Sequence, residues 1–170
     1  MLSFDIRSLE TKAVQVDGEL QPDDPIWEEV DVRPEGPIRV TGRLSHAGEG
    51  RFYFAGRIDG RIVLPCRLCL EEVSVEVDEE VHFILAEIGA DEADDPDVYL
   101  YDPNARMLDL RGAARETWLL TAPSYAQCRE DCKGLCATCG TNLNESSCNC
   151  TPTKTESRWD ALLKPQSKAH

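Results

Sequence analysis

Apolar residues alternate with polar ones along much of this chain, and the alternation predicts strands. Ile38, Val40, Gly42 and Leu44 keep a period of two, as one half-buried strand requires. Phe52, Phe54, Gly56, Ile58, Ile62 and Leu64 keep it again, straight through Asp59-Gly60. Asp-Gly favours a hairpin turn, whereas the unbroken apolar phase favours one long strand bent at a glycine bulge. Val73, Val75, Val77, Val81, Phe83 and Leu85 share one parity, interrupted at Glu79. They predict a long amphipathic strand with Glu72, Glu76, Asp78, Glu80 and His82 on the solvent side.

Weaker signals fill the rest. Residues 1–20 read as an opening strand, with Phe4 and Ile6 alternating. Gln21–Pro25 is a loop, Trp27, Val30 and Val32 give weak strand character, and Pro34-Glu35-Gly36-Pro37 is a break. His46–Gly50 and Pro65–Leu70 are loops, and Gly89–Pro96 is an acidic one. Tyr99–Tyr101 is a short edge strand. Asp109 caps a helix over Leu110–Thr121, with Leu110, Ala113, Ala114, Thr117, Trp118 and Thr121 near one face, and Ala122-Pro123 ends it. A short tail helix is expected at Arg158–Leu163, capped by Ser157. The expected fold is α+β: a twisted, mainly antiparallel sheet, one main helix and a cysteine-rich C-terminal module. The division is 1–123, 124–151 and 152–170.

The cysteines change the picture most. The chain holds eight, all in short-spaced pairs: Cys66 with Cys69, Cys128 with Cys132, Cys136 with Cys139, and Cys148 with Cys150. Eight sulfurs suffice for two tetrahedral four-cysteine zinc sites, and C-x2-C lets two sulfurs reach one ion. No secretory leader pattern opens the chain and no run of about eighteen apolar residues occurs. A reducing cytoplasm is the expected setting, where clustered thiols bind metal rather than form disulfides. Local closure costs the least chain entropy, which groups Cys136, Cys139, Cys148 and Cys150 in one site and leaves Cys66, Cys69, Cys128 and Cys132 for the other. Spacing alone also allows swapped pairings. Both sites read as structural, because catalytic zinc keeps an open position and often a His or carboxylate ligand. His46, His82 and His170 lie far from every cysteine in sequence, and no phosphate loop or nucleophile elbow is present.

Charge narrows the partners. The 170 residues carry a formal net charge of −14, with 41% hydrophobic and 29% charged residues. Two zinc–tetrathiolate sites would take it to about −18. Such a molecule repels a phosphate backbone and attracts basic proteins. From Leu68 to Ala105 there is no Lys or Arg, whereas seven arginines lie between Arg33 and Arg67. Either the two stretches neutralise each other across a sheet, or the acidic one forms an anionic face. Arg67, Arg129 and Lys133 adjoin cysteines and either offset thiolate charge or are ordinary surface cations.

Leu64-Pro-Cys-Arg-Leu-Cys-Leu-Glu71 and Cys132-Lys-Gly-Leu-Cys-Ala-Thr-Cys-Gly-Thr-Asn-Leu-Asn144 resemble the YceD-like family of bacteria and plastids, described as large ribosomal RNA subunit accumulation proteins. The likeness runs from about residue 35 onward. Leu68 stands where that pattern more often carries arginine, and Arg67 takes the basic place. The resemblance implies a role in accumulation of 23S-type rRNA and hence in large-subunit assembly, and the lack of catalytic motifs makes the expected factor non-enzymatic. The acidity adds that it grips a basic ribosomal protein or precursor particle rather than naked rRNA. A zinc–thiolate redox sensor and a direct RNA-binding zinc module using Arg33–Arg67 are the alternatives.

Overall fold

The computed structural model describes residues 1–28, 33–90 and 98–151. The acidic loop Asp91–Asp97, the tail helix expected at Arg158–Leu163, and Val30 and Val32 lie outside the described residues. The architecture is α+β. Strand β1 (Ser3–Asp5) leads into helix α1 (Ile6–Thr11), then β2 (Val14–Leu20), β3 (Ile38–Gly48), β4 (Arg51–Pro65), β5 (Glu72–Glu87), β6 (Val98–Tyr101), β7 (Met107–Asp109) and helix α2 (Arg111–Thr121). Five strands form one sheet in the order β2-β3-β4-β5-β6, and β1 pairs with β7 in a separate ribbon. Among the described strands every pairing is antiparallel except β5 with β6.

The long strands follow the alternation. Strands β4 and β5 keep one register from Phe52 opposite Leu85 to Pro65 opposite Glu72. Asp59-Gly60 is therefore neither a turn nor a bulge, but part of a continuous strand. Its glycine has a packing reason: a Cβ at Gly60 would stand 3.0 Å from the Trp118 ring of α2. Val40, Leu44, Phe54, Ile58, Ile62, Val81 and Phe83 are buried on one sheet face together with Leu9, Trp27, Ala114 and Trp118. Burial of this apolar area supplies the main folding drive.

The other face is wet and several of its charges are paired. Arg57 pairs with Asp78 and with Glu80 (3.7 Å), Arg61 with Glu76 (2.6 Å), and Arg39 with Asp17 (3.1 Å). Of the two charge readings, cross-strand neutralisation is therefore the one seen for Glu76, Asp78 and Glu80. The Arg57 guanidinium also holds the Asp78 carboxyl below its ordinary range.

Four expectations need correction. Residues 1–20 are not one strand: Asp5 caps α1 by accepting the Ser8 N–H at 3.2 Å, and Leu9 anchors the helix in the core. The loop expected at His46–Gly50 shrinks to Glu49-Gly50, because β3 continues to Gly48. Trp27 closes a 3-10 turn instead of starting a strand, and its Nε1 donates to the Gln21 carbonyl at 2.9 Å. Helix α2 starts at Arg111, so Asp109 sits at the end of β7. Its Oδ1 still accepts the Arg111 N–H at 3.0 Å. Among the described residues, no helix is long and apolar enough to cross a membrane.

Candidate metal centres

Strands β4 and β5 are joined by a six-residue connection that holds the Cys66–Leu70 knuckle. The Cys66 N–H donates to the Glu71 carbonyl at 2.7 Å, and the Leu70 N–H donates to the Cys66 carbonyl at 2.9 Å. These bonds curl the chain so that Cys66 and Cys69 present their sulfurs together. The segment after α2 then runs beside the knuckle. Cys66 bridges Ala126, and the Arg67 N–H donates to the Ala126 carbonyl at 2.9 Å. That contact delivers Cys128 and Cys132. The sulfur of Cys66 lies 3.9 Å from that of Cys132, and the sulfur of Cys69 lies 3.6 Å from that of Cys128.

The second site repeats the knuckle. The Cys136 N–H donates to the Thr141 carbonyl at 2.8 Å, and the Gly140 N–H to the Cys136 carbonyl at 2.9 Å. The residue after the second cysteine is left-handed in both turns, with φ 64° at Leu70 and 74° at Gly140. Glycine adopts that backbone freely, whereas a leucine there costs about 1–2 kcal/mol. Cys148 and Cys150 complete the second group from the loop that follows.

Within each group all four sulfurs lie within 4.8 Å of one another. The groups are Cys66, Cys69, Cys128 and Cys132, and Cys136, Cys139, Cys148 and Cys150. These are the memberships that local closure favours. All eight are free thiols. A disulfide holds its sulfurs about 2.05 Å apart, whereas a tetrahedral zinc with Zn–S near 2.3 Å places them about 3.8 Å apart. The separations of 3.6 and 3.9 Å match the second geometry. The donor chemistry and spacing thus fit a soft, tetrahedral dication.

Electrostatics lowers two thiols in each group, Cys66 and Cys132 in the first and Cys136 and Cys139 in the second, and raises the other two. Backbone N–H groups of Cys128 and Cys69 hold Cys66 down to about 6. The Thr141 hydroxyl and N–H do the same for Cys139, also to about 6. At Cys69 the Glu71 backbone pulls downward, but burial and three neighbouring sulfurs outweigh it and push the thiol up to about 12. Cys150 is pushed up to about 12 by Cys139 and by burial. Four adjacent thiols cannot all ionise alone, and a bound dication removes that penalty.

The family profile described as large ribosomal RNA subunit accumulation protein YceD matches residues 54–164, which span both cysteine groups. The chain belongs to the YceD family. It is 32% identical over 148 residues to the maize protein named large ribosomal RNA subunit accumulation protein YCED homolog 1, chloroplastic. The alignment covers 78% of this chain and 50% of the maize protein, so the chain spans about half the length of that relative. No solved structure matches the chain. The YceD match begins inside β4, so β1, α1, β2 and β3 all precede it.

Two side chains of this YceD chain gain a role that sequence reasoning missed. The Asn144 Nδ2 donates to the Cys132 sulfur at 3.4 Å, while its Oδ1 accepts the Lys133 N–H at 2.8 Å. The Asn142 Nδ2 donates to the Glu71 carboxylate at 2.9 Å, and its Oδ1 accepts from Asn144. The loop closing site two is therefore the outer shell of site one. The Asn-x-Asn spacing beside Cys132–Cys139 was the available signal, since short amides favour such local bonds. Of the basic residues beside cysteines, Arg67 lies over the Tyr125 ring and donates to Gln127, and Arg129 pairs with Asp131 at 3.6 Å. His46 and His82 lie on the sheet, outside both sulfur groups.

Proposed function

We propose that this chain is a non-enzymatic factor that supports accumulation of large-subunit rRNA, and hence large-subunit assembly. It does so by holding a basic ribosomal protein or precursor particle. The observation that carries the proposal is the YceD match over residues 54–164, together with the name of the maize relative. The net charge of −14 favours a basic protein over naked RNA. Arg39, Arg57 and Arg61 are engaged by carboxylates, which argues against an arginine surface for RNA. Zinc is the metal proposed for both groups, and its part is structural: four thiolates fill a tetrahedral ion and leave no position for substrate.

Two measurements test the proposal. Cells deprived of the chain should lose large-subunit rRNA relative to small-subunit rRNA, and re-expression should restore the ratio. An unchanged ratio and an unchanged subunit profile would sink the function. Protein purified without chelator should carry about two equivalents of zinc, as two tetrathiolate sites demand. Less than half an equivalent, with disulfides by mass, would sink the metal assignment.

One observation favours a second reading. Cys139 is exposed and its thiol is held down to about 6, the environment of an oxidisable thiolate. If the redox reading holds, dilute peroxide should release one equivalent of zinc and oxidise Cys139 first.

A further inference from the structure

The two knuckles share their hydrogen bonds and their left-handed fifth residue, and they differ in what that residue is. Gly140 satisfies the backbone of the second turn without strain, and a Cβ there would meet nothing within 4 Å. The first turn places Leu70 at φ 64°, with the residue 63% exposed. A leucine in this region is strained, and one left in water recovers nothing by burial. Leu68, on the other side of Cys69, is 40% exposed, and Tyr125 is 64% exposed beside the same turn. The Arg67 guanidinium lies 5.0 Å from the centre of the Tyr125 ring. Folding thus explains the shape of this turn but not the two leucines displayed on it, with Tyr125 beside them. Strained backbone of this kind is found at ligand clamps.

The charges around the turn select the occupant. Glu71 and Glu72 follow Leu70 directly and are exposed; Glu71 also accepts from Asn142 at 2.9 Å, which fixes its carboxylate beside the turn. The cation within the turn, Arg67, is engaged by Tyr125 and Gln127. An apolar centre rimmed by carboxylates suits a segment that brings an apolar side chain flanked by Lys or Arg. We infer that the first knuckle is a docking surface for a basic protein segment, with Leu70 as the buried anchor and Leu68 and Tyr125 beside it. Site one holds this turn rigid and so keeps the anchor ordered before binding. The inference rests on the proposed basic-protein partner and names the place where that partner sits.

The probe is the set of proteins extracted from purified large ribosomal subunits, passed over the immobilised full chain. The most strongly retained protein is then titrated in solution. Leu70→Gly should weaken that complex at least tenfold while its melting temperature stays level or rises, since glycine relieves the turn. Leu70→Asp should weaken it further. Leu120→Asp, on the exposed side of α2, should bind as the unaltered chain does. Unchanged affinity in both Leu70 variants overturns the docking surface and leaves the proposed function standing. Loss of affinity for protein-free rRNA in those variants, with protein binding unchanged, overturns it in favour of RNA. If the unaltered chain retains none of these proteins at low salt, the basic-protein reading itself fails, and the docking surface with it.

Discussion

The two four-cysteine groups share a chemistry and differ in what they join. Site one takes Cys66 and Cys69 from the tip of the β4–β5 hairpin and Cys128 and Cys132 from beyond α2, with Cys69 and Cys128 59 residues apart. Cys66 and Cys69 are buried. Site two takes every ligand from residues 136–150, and Cys139 and Cys150 are exposed. A metal at site one therefore closes a long loop and docks the module on the sheet, whereas a metal at site two folds its own loop and reaches site one only through Asn142 and Asn144. The same four thiolates act on tertiary structure in one place and on local structure in the other. The difference comes from where the ligands lie along the chain.

The largest consequence concerns stability. Cys66→Ser should lose one metal equivalent and a large part of the roughly 10–16 kcal/mol that a structural zinc site supplies. Thermal unfolding should then begin well below that of the parent. Cys139→Ser should also lose one equivalent, while the sheet melts near the parental temperature. Equal global destabilisation by the two variants would break the comparison.

A second expectation separates the sites by access. Cys66 and Cys139 are both held down to about 6, so each is mostly thiolate at pH 7 in the metal-free state. Cys66 is buried and Cys139 exposed. Under limiting chelator, iodoacetamide followed by peptide mass mapping should find Cys139 alkylated well before Cys66. The Cys139 rate should fall as pH drops through about 6, because its thiolate is lost there. Equal labelling of the two cysteines would show that burial does not distinguish the sites.

The wiring between the sites makes a smaller effect. Asn144→Ala removes the donor to the Cys132 sulfur and should weaken metal binding at site one by about tenfold. Cobalt substitution with a competing chelator reads this directly from the thiolate charge-transfer bands. The loss should shrink in a Cys139→Ser background, where the loop that carries Asn144 is no longer held. Full additivity of the two substitutions would disconnect the sites.

The smallest effect sharpens the comparison at the knuckles. Gly140→Leu should copy the strain of Leu70 and cost about 1–2 kcal/mol of site-two folding. Hydrogen exchange of residues 136–150 would report it, and unaltered protection would remove the strain argument.

Much of the fold was legible because its apolar positions keep one period over long spans. Strand β5 kept its parity from Val73 to Leu85 despite Glu79, and β4 kept it through Asp59-Gly60. That glycine misled the turn reading because its cause, the Trp118 ring, lies on a helix 58 positions away in sequence. Helix α1 escaped notice because six residues hold under two turns, too few for a helical period to register. Its clues were the Asp5 cap and the buried Leu9. The β1–β7 ribbon and the parallel β5–β6 pairing join segments that carry no local sign of each other. The sulfur groups followed from spacing and loop entropy, but the Asn142–Asn144 shell did not, since it depends on the knuckles already being folded together.

The long separation within site one also sets a timetable for synthesis. Strands β2 to β5 are sequential antiparallel neighbours and can pair in the order in which they emerge. Cys66 and Cys69 appear with them, as half of a site. The chain between Cys69 and Cys128 takes about 3–12 s to make at about 5–20 residues per second. β1 waits in the same way for Met107–Asp109. During that interval the nascent hairpin tip carries two bare thiols, and a metal can lock it only once Cys128 and Cys132 have been translated.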